Sequence, residues 1–158
     1  MKIKMMCLSD IPAWVLLSKE YDRYVQEIVS DLTEWYEGNE SSLPFDKYME
    51  SKINKSEAQM VINENGDCCG AIAVSKASNN ITFFAISHML DFEQTGNLLL
   101  DCALSTLNSK ANIKTNLIKS NAEHIQKQLA LLNKYGFVYS HDDLENGVPV
   151  SCLEKRTV

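Results

Sequence analysis

Several things are missing from this chain of 158 residues, and each absence removes a class of function. No apolar run approaches the roughly 20 residues that cross a bilayer as a helix. The first residues, Met1 to Cys7, lack the apolar stretch and small-residue cleavage site of a secretory signal. Basic charge is scarce too: 15 Lys and Arg stand against 21 Asp and Glu, a formal net charge of −6. That balance argues against sequence-independent binding to nucleic acid or to an anionic membrane, both of which need a basic face. The five cysteines form no C-x-x-C pair and have no metal-ligand spacing with histidine, so no metal is expected. An odd cysteine count with adjacent Cys68 and Cys69 fits a reducing, cytoplasmic compartment. No Gly-x-Gly-x-x-Gly turn follows the first apolar segment, which disfavours a dinucleotide-binding oxidoreductase.

The residues that are there read as one α/β domain spanning 1–158. Ile3, Met5 and Cys7 alternate as in a first strand. Ser9 or Asp10 is placed to cap a helix with Pro12 in its first turn, and Ile11, Trp14, Val15, Ser18 and Tyr21 follow a helical stripe. A second stripe, Val25, Ile28, Val29, Leu32 and Trp35-Tyr36, runs to Gly38. A loop over Gly38–Pro44 and a short helix over about 45–55 follow. Three strands come next: Ala58 to Asn63, then Asn65-Gly66 as a tight turn, Cys68 to Ser75, and, past Asn79-Asn80, Ile81 to Ile86. Links this short demand an antiparallel meander.

Ser87 to Thr95 breaks the strand pattern, and Gly96-Asn97 opens a helical run carrying Leu99, Cys102, Ala103 and Leu107. A helix starting just past a strand end aims free N–H groups and a positive dipole end at one point, where a phosphate would sit. A single glycine at such a turn is more often only a turn. Ile113 to Ile118 then forms a strand parallel to the one before the helix, by a right-handed crossover. A last helix over about 121–135 buries Ala122, Ile125, Leu129 and Leu132, with Gly136 as its left-handed cap and Phe137 as the apolar contact beyond. Val138–His141 and Val148–Leu153 are expected to close the chain as a hairpin around an acidic loop, 142–147.

This order, with three local patterns, resembles the GNAT superfamily of acetyl-CoA-dependent N-acetyltransferases. Leu131-Leu132-Asn133-Lys134-Tyr135-Gly136-Phe137 is similar to the family's Leu-Tyr-x-Lys-x-Gly-Phe helix ending. Gly66-Asp67-Cys68-Cys69-Gly70 resembles its Gly-x-x-x-Gly turn and strand. The segment before Leu99-Leu100 is similar to its acyl-CoA motif, Arg/Gln-x-x-Gly-x-Gly/Ala. The resemblance implies a mixed central sheet of about six to seven strands in the order β-α-α-β-β-β-α-β-α-β-β, with helices on both faces. It also implies transfer of an acetyl group from acetyl-CoA to a primary amine of a small molecule or peptide, in a monomer or homodimer.

Carried over position by position, Gly96 takes the motif's second glycine, Gln94 its first, and Asp91 the place of Arg or Gln. Gln94, Thr95, Gly96 and Asn97 are then expected around the pyrophosphate through backbone N–H groups. Ile86 and Ser87 lie along the pantetheine and thioester, with an N–H group near Ile86 for the developing oxyanion, and Asn121 stands against the pantetheine amides or caps the last helix. Two departures stand out. Asp91 and Glu93 place negative charge beside the phosphates, and Leu132 replaces the tyrosine that protonates the leaving thiolate in many members. His88, just past the strand end, and Tyr139 are the candidates for proton transfer. Their plain alternatives are a surface or loop histidine and a hairpin tyrosine. His124 and His141 read as helix-surface and hairpin residues. Trp35-Tyr36 and Phe45-Tyr48 fall where the family builds its acceptor wall, although core packing is the better account of most of them. The other reading of the whole is a GNAT-fold protein that binds an acyl-CoA, or nothing, without catalysis.

Overall fold

Turn chemistry and apolar runs build the first half of the sheet. The computed structural model describes residues 1–28, 42–87, 91–145 and 147–157, with the side chains of all of these except 23–28 and 42–46. Strand β1 (Lys2–Met5) pairs antiparallel with β2 (Ala58–Ile62), β2 with β3 (Cys68–Ser75), and β3 with β4 (Asn80–Ile86). Gly66 supplies the positive φ of +82° at the β2–β3 turn, and the Asn63 carboxamide oxygen accepts the N–H groups of Asn65 and Asp67 around it.

From β4 the chain crosses through helix α3 (Phe92–Thr106) to β5 (Ile113–Ile118), which lies parallel to β4. Helix α4 (Glu123–Lys134) leads to β6 (Phe137–Glu145) and then β7 (Val148–Lys155), and β7 inserts between β5 and β6. The seven strands run β1-β2-β3-β4-β5-β7-β6. Helices α3 and α4 cover one face. On the other lie α1 (Ile11–Ile28), entered through a single 3₁₀ turn at Leu8–Asp10, and α2 (Ser42–Asn54).

Each face has its own core. Under α3 and α4, Leu99, Leu100, Ala103, Leu131, Leu132 and Phe137 close over Ile72, Val74 and Ile86. Burying each large apolar side chain contributes about 1.5–3 kcal/mol before cavity terms. On the other face the small side chains of Ala71, Ala73 and Ala85 make room for the fully buried indole of Trp14, which meets Phe83 edge-on at 5.5 Å. Two glycines allow close approach. A Cβ on Gly70 would stand 2.9 Å from the Ala85 carbonyl oxygen and from Thr95 Cγ2, and one on Gly96 would stand 2.2 Å from Leu131 Cδ2. Gly136, at φ +95°, takes the left-handed position after α4 as its sequence predicts.

Boundaries differ from the sequence expectation at four places. Helix α3 begins at Phe92 rather than Gly96, because Gly96 serves helix packing and not a turn. Helix α2 begins at Ser42, and Pro44 falls in its first turn, where a missing N–H costs no intrahelical bond. The acidic segment Asp142–Glu145 is strand rather than loop, because it pairs residue by residue with β7 as far as Glu145 and Val148. The N-cap of α4 is Ala122, with no side-chain cap, so Asn121 does not cap it. The stripe from Val29 to Tyr36 lies outside the described residues, as do the side chains of Val25, Ile28 and Phe45.

Candidate active site

Strands β4 and β5 pair at only two positions, Asn80 with Lys114 and Ile81 with Thr115. Beyond these they part. Strand β4 stays bonded to β3 as far as Ile86, and β5 stays bonded to β7 as far as Ile118, so the gap belongs to the β4–β5 junction alone. A cleft of about 440 Å³ opens there, with Thr82 to Ala85 on one wall, Thr115 to Ile118 on the other, and Tyr21, Tyr48, Ile125, Gln128 and Glu145 around it. Leu117, Ile118 and Ile125 continue into a hollow of about 760 Å³ that takes in Lys119, Ser120 and Asn121.

Parting two strands strips one edge of β4 of its sheet partner, and side chains replace it. Ile86 N–H donates to Tyr21 Oη at 3.0 Å, and the Tyr21 hydroxyl in turn donates to Gln128 Oε1 at 2.7 Å. Gln128 Nε2 donates to the Phe84 carbonyl at 2.9 Å. His124 Nε2 lies 2.8 Å from the Ile86 carbonyl oxygen and 3.1 Å from Tyr21 Oη. A carbonyl only accepts, so the 2.8 Å contact assigns the His124 proton to Nε2. His124 and Gln128 stand one turn apart on α4 and reach the same strand edge from the same face. Gln128 is buried, and its amide is the kind of two-sided donor and acceptor that a strand edge requires.

The first turn of α3 stands at the end of β4. The Thr95 N–H is bonded to the Asp91 carbonyl oxygen, 3.1 Å away, so the N–H groups without an intrahelical partner precede Thr95. Of the four residues expected around a pyrophosphate, only Gln94 belongs to that free set, and its side chain is exposed. Thr95 is fully buried and its hydroxyl donates to Met1 Sδ at 3.4 Å. Gly96 is packed between Leu131 and Ile86. Asn97 is held through Oδ1 by the Tyr135 hydroxyl at 3.2 Å. Burial, with Asp101 beside it, pushes Tyr135 up to about 12. Glu93 is not a bare charge, because its carboxylate pairs with Lys134 Nζ at 3.1 Å.

Ser87 is buried. Its N–H donates to the Cys69 carbonyl at 2.8 Å and its hydroxyl to Glu20 Oε1 at 3.2 Å. Tyr48 reaches the cleft, with Oη 2.6 Å from Thr82 Oγ1. Burial pushes this phenol up to about 12 against the opposing Thr82 bond, and Glu145 and Glu57 add to the rise. Tyr139 is not brought to the cleft. It stands exposed on β6, with its hydroxyl bonded to Asp142 at 2.9 Å. His88 lies outside the described residues.

No protein-family model matches the sequence, and no curated protein matches it. Solved structures do. A GNAT-family acetyltransferase from Streptococcus agalactiae superposes with a TM-score of 0.69 at 17% identity, covering 99% of this chain and 95% of that one. An N-acetyltransferase from Staphylococcus aureus gives 0.69 at 12% identity, covering 98% and 97%. A protein from Salmonella typhimurium described as an acetyltransferase, solved with its cofactor acetyl-CoA, gives 0.62 at 11% identity, covering 99% and 94%. The chain has the GNAT fold. Its seven-stranded mixed sheet, covered by helices on both faces, is the architecture the sequence resemblance implied.

Within the GNAT fold three residues near the split escaped sequence reasoning: Tyr21, His124 and Gln128. Tyr21 belongs to a stripe that reads as core, and a lone helix histidine reads as surface. The available signal was their joint spacing, since 124, 128 and 132 share one face of α4. Leu132, next along that face, is buried among the apolar residues of α3 and β4.

Proposed function

We propose that this protein is an acetyl-CoA-dependent N-acetyltransferase whose acyl group is received at the β4–β5 split beside Ile86. The observation that carries the reading is the loss of strand pairing after two residue pairs. It leaves a strand edge of backbone donors and acceptors facing a cleft, next to the positive end of α3. An extended amide chain satisfies such an edge as a missing strand would. Tyr21, His124 and Gln128 hold those groups in the free protein, so binding exchanges side-chain hydrogen bonds for ligand ones.

The residues fit the chemistry in named roles. Ile86 N–H, released from Tyr21, faces the carbonyl oxygen on which charge develops when an amine attacks. The amine nitrogen forms the new C–N bond, the C–S bond breaks, and the sulfur leaves as a thiolate that takes up a proton from solvent. The ammonium proton passes to a nearby base, for which His88, following β4 in sequence, is the candidate. The acceptor is a primary amine of a small molecule or a peptide, with Tyr48, Thr82 and Glu145 on its side of the cleft. Asn121 borders the hollow that continues from the cleft, beside the path proposed for the pantetheine amides. Ser87, Gln94, Thr95, Gly96 and Asn97 shape the strand end and helix start that receive the thioester and the diphosphate. Tyr139 has no contact with the cleft and takes part only if β6 shifts. The net charge supports no nucleic-acid or membrane partner.

Calorimetry with acetyl-CoA tests the reading first, and thiol release with a panel of amines tests it second. No binding at millimolar acetyl-CoA removes the transferase. Binding without thiol release favours the second reading, a non-catalytic acyl-CoA-binding protein. That reading rests on the buried Leu132 and on the side chains already bonded to the β4 edge.

A further inference from the structure

Away from the cleft, the closing hairpin gathers three side chains of different ligand chemistry. Pairing between β6 and β7 slips by one residue after Tyr139, so that Ser140 has no opposite number and His141 stands across from Cys152. A bulge of this kind re-aims the side chains that follow it. Asp143, two residues on, shares the face of His141. A ligand atom of His141, one of Asp143 and the Cys152 sulfur all lie within 4.8 Å of one another. We propose that His141, Asp143 and Cys152 form a binding site for a divalent d-block cation of the zinc class.

Geometry supports it directly. Three atoms no more than 4.8 Å apart leave a central point no farther than about 2.8 Å from each (4.8 Å over √3). Zinc bonds run about 2.0–2.3 Å, so closure asks for roughly half an ångström from each side chain. His141 and Asp143 are exposed and have that freedom. Supporting contacts hold two of the ligands: Ser140 Oγ lies 3.0 Å from His141 Nδ1, and Asp143 Oδ1 accepts the Leu144 N–H at 2.8 Å. The outer contact to an imidazole is what orients a ligating histidine.

The donor set selects the ion. Thiolate and imidazole favour zinc, cobalt or nickel and disfavour magnesium and calcium, which take oxygen ligands. As the sulfur–metal bond forms, Cys152 gives its thiol proton to solvent and the cation keeps its oxidation state. Three protein ligands leave a fourth position for water. Glu145, on the same face of β6 and at the rim of the cleft, adds negative charge on the approach. Sequence spacing concealed the site because Cys152 reaches the other two only through strand pairing.

The test uses the full chain, reduced with a non-chelating phosphine. Titration with Co²⁺ is expected to give thiolate-to-cobalt absorption, and calorimetry one Zn²⁺ per chain. Cys152→Ser is expected to abolish the absorption band, and His141→Ala and Asp143→Asn each to weaken binding at least tenfold. Cys7→Ser, at an exposed cysteine bonded to Asp10, is expected to change neither reading. His141 and Asp143 are exposed, so their variants fold and keep the test decisive even if Cys152→Ser does not. Absence of one-to-one binding overturns the site, as does binding indifferent to His141→Ala or lost in Cys7→Ser.

Discussion

Tyr21 Oη lies 3.0 Å from the amide nitrogen of Ile86 and 3.3 Å from its carbonyl oxygen. One side chain of α1 thus accepts the Ile86 N–H at the end of β4, where the sheet splits, while its own proton goes to Gln128 and the Ile86 carbonyl is held by His124. Helix α1, α4 and the split are joined at a single residue, and the donor proposed for catalysis is occupied in the free state.

The first prediction follows from that occupancy. Tyr21→Phe leaves the buried Ile86 N–H without its acceptor and is expected to cost about 1–3 kcal/mol in urea unfolding. Saturating acetyl-CoA is expected to raise the melting temperature of the variant more than that of the wild type, because nothing must be displaced from Ile86. Equal shifts would mean that the ligand does not use this amide.

Charge at the start of α3 supplies the second. Asp91 and Glu93 lie where a diphosphate is proposed, and each opposes it by about 0.3–1 kcal/mol through the local field. Asp91→Asn with Glu93→Gln is expected to tighten coenzyme A binding up to about tenfold at low ionic strength, 1.4 kcal/mol being a factor of ten. The Glu93 change also frees Lys134 from its ion pair, in the same direction. The gain shrinks as salt screens exposed charge. An affinity indifferent to both substitutions places the phosphates elsewhere.

Gly96 and Leu131 supply the third. A methyl at 96 meets Leu131 Cδ2 at 2.2 Å inside the contact between α3 and α4. Gly96→Ala gains about 1 kcal/mol of helix propensity but overpacks a buried contact, which costs about 1–3 kcal/mol. The expected net result is destabilisation that Leu131→Ala partly relieves in the double variant, although Leu131→Ala alone costs about 2–5 kcal/mol. Strictly additive unfolding energies would show that the two side chains do not compete for the same space.

Sequence pattern carried the fold further than it carried the site, and the reason is physical. The apolar runs in 58–63, 68–75 and 81–86, the Asn65-Gly66 turn and the Gly136-Phe137 helix ending are local properties, and all three reappear in the structure. Where a distant partner decides, local reading failed. Asp142–Glu145 looks like a solvated loop until β7 pairs with it. Gly96 looks like a turn residue until Leu131 is set against it. Tyr21 and His124 are 103 residues apart, and neither shows in isolation that it bonds the edge of β4. The split shows in no single residue, because a gap between two strands has no periodicity of its own.

The buried pair of Lys52 and Glu57 supplies the last prediction, which concerns pH. Lys52 Nζ lies 3.4 Å from Glu57 Oε1 and donates to the Val74 carbonyl at 2.6 Å, while Glu57 Oε2 accepts the Lys76 N–H at 2.6 Å. Burial pulls the Glu57 carboxyl upward, but the Lys76 hydrogen bond and the Lys52 charge outweigh it and hold the group below its ordinary value of 4.5. A carboxyl depressed in the folded state stabilises the fold above its unfolded value. That contribution is lost as pH falls below 4.5 and on through the depressed folded value. Wild-type stability is therefore expected to decline over that acid range, and Glu57→Gln to flatten this part of the decline. Lys52→Met leaves Glu57 charged and unpartnered by a cation, at a cost of about 3–5 kcal/mol at neutral pH. Protonating Glu57 removes that burden, so the cost of Lys52→Met shrinks as the medium is acidified. Urea unfolding of wild type and both variants across the acid range checks the sign, and a Lys52→Met penalty that grows on acidification would contradict the linkage.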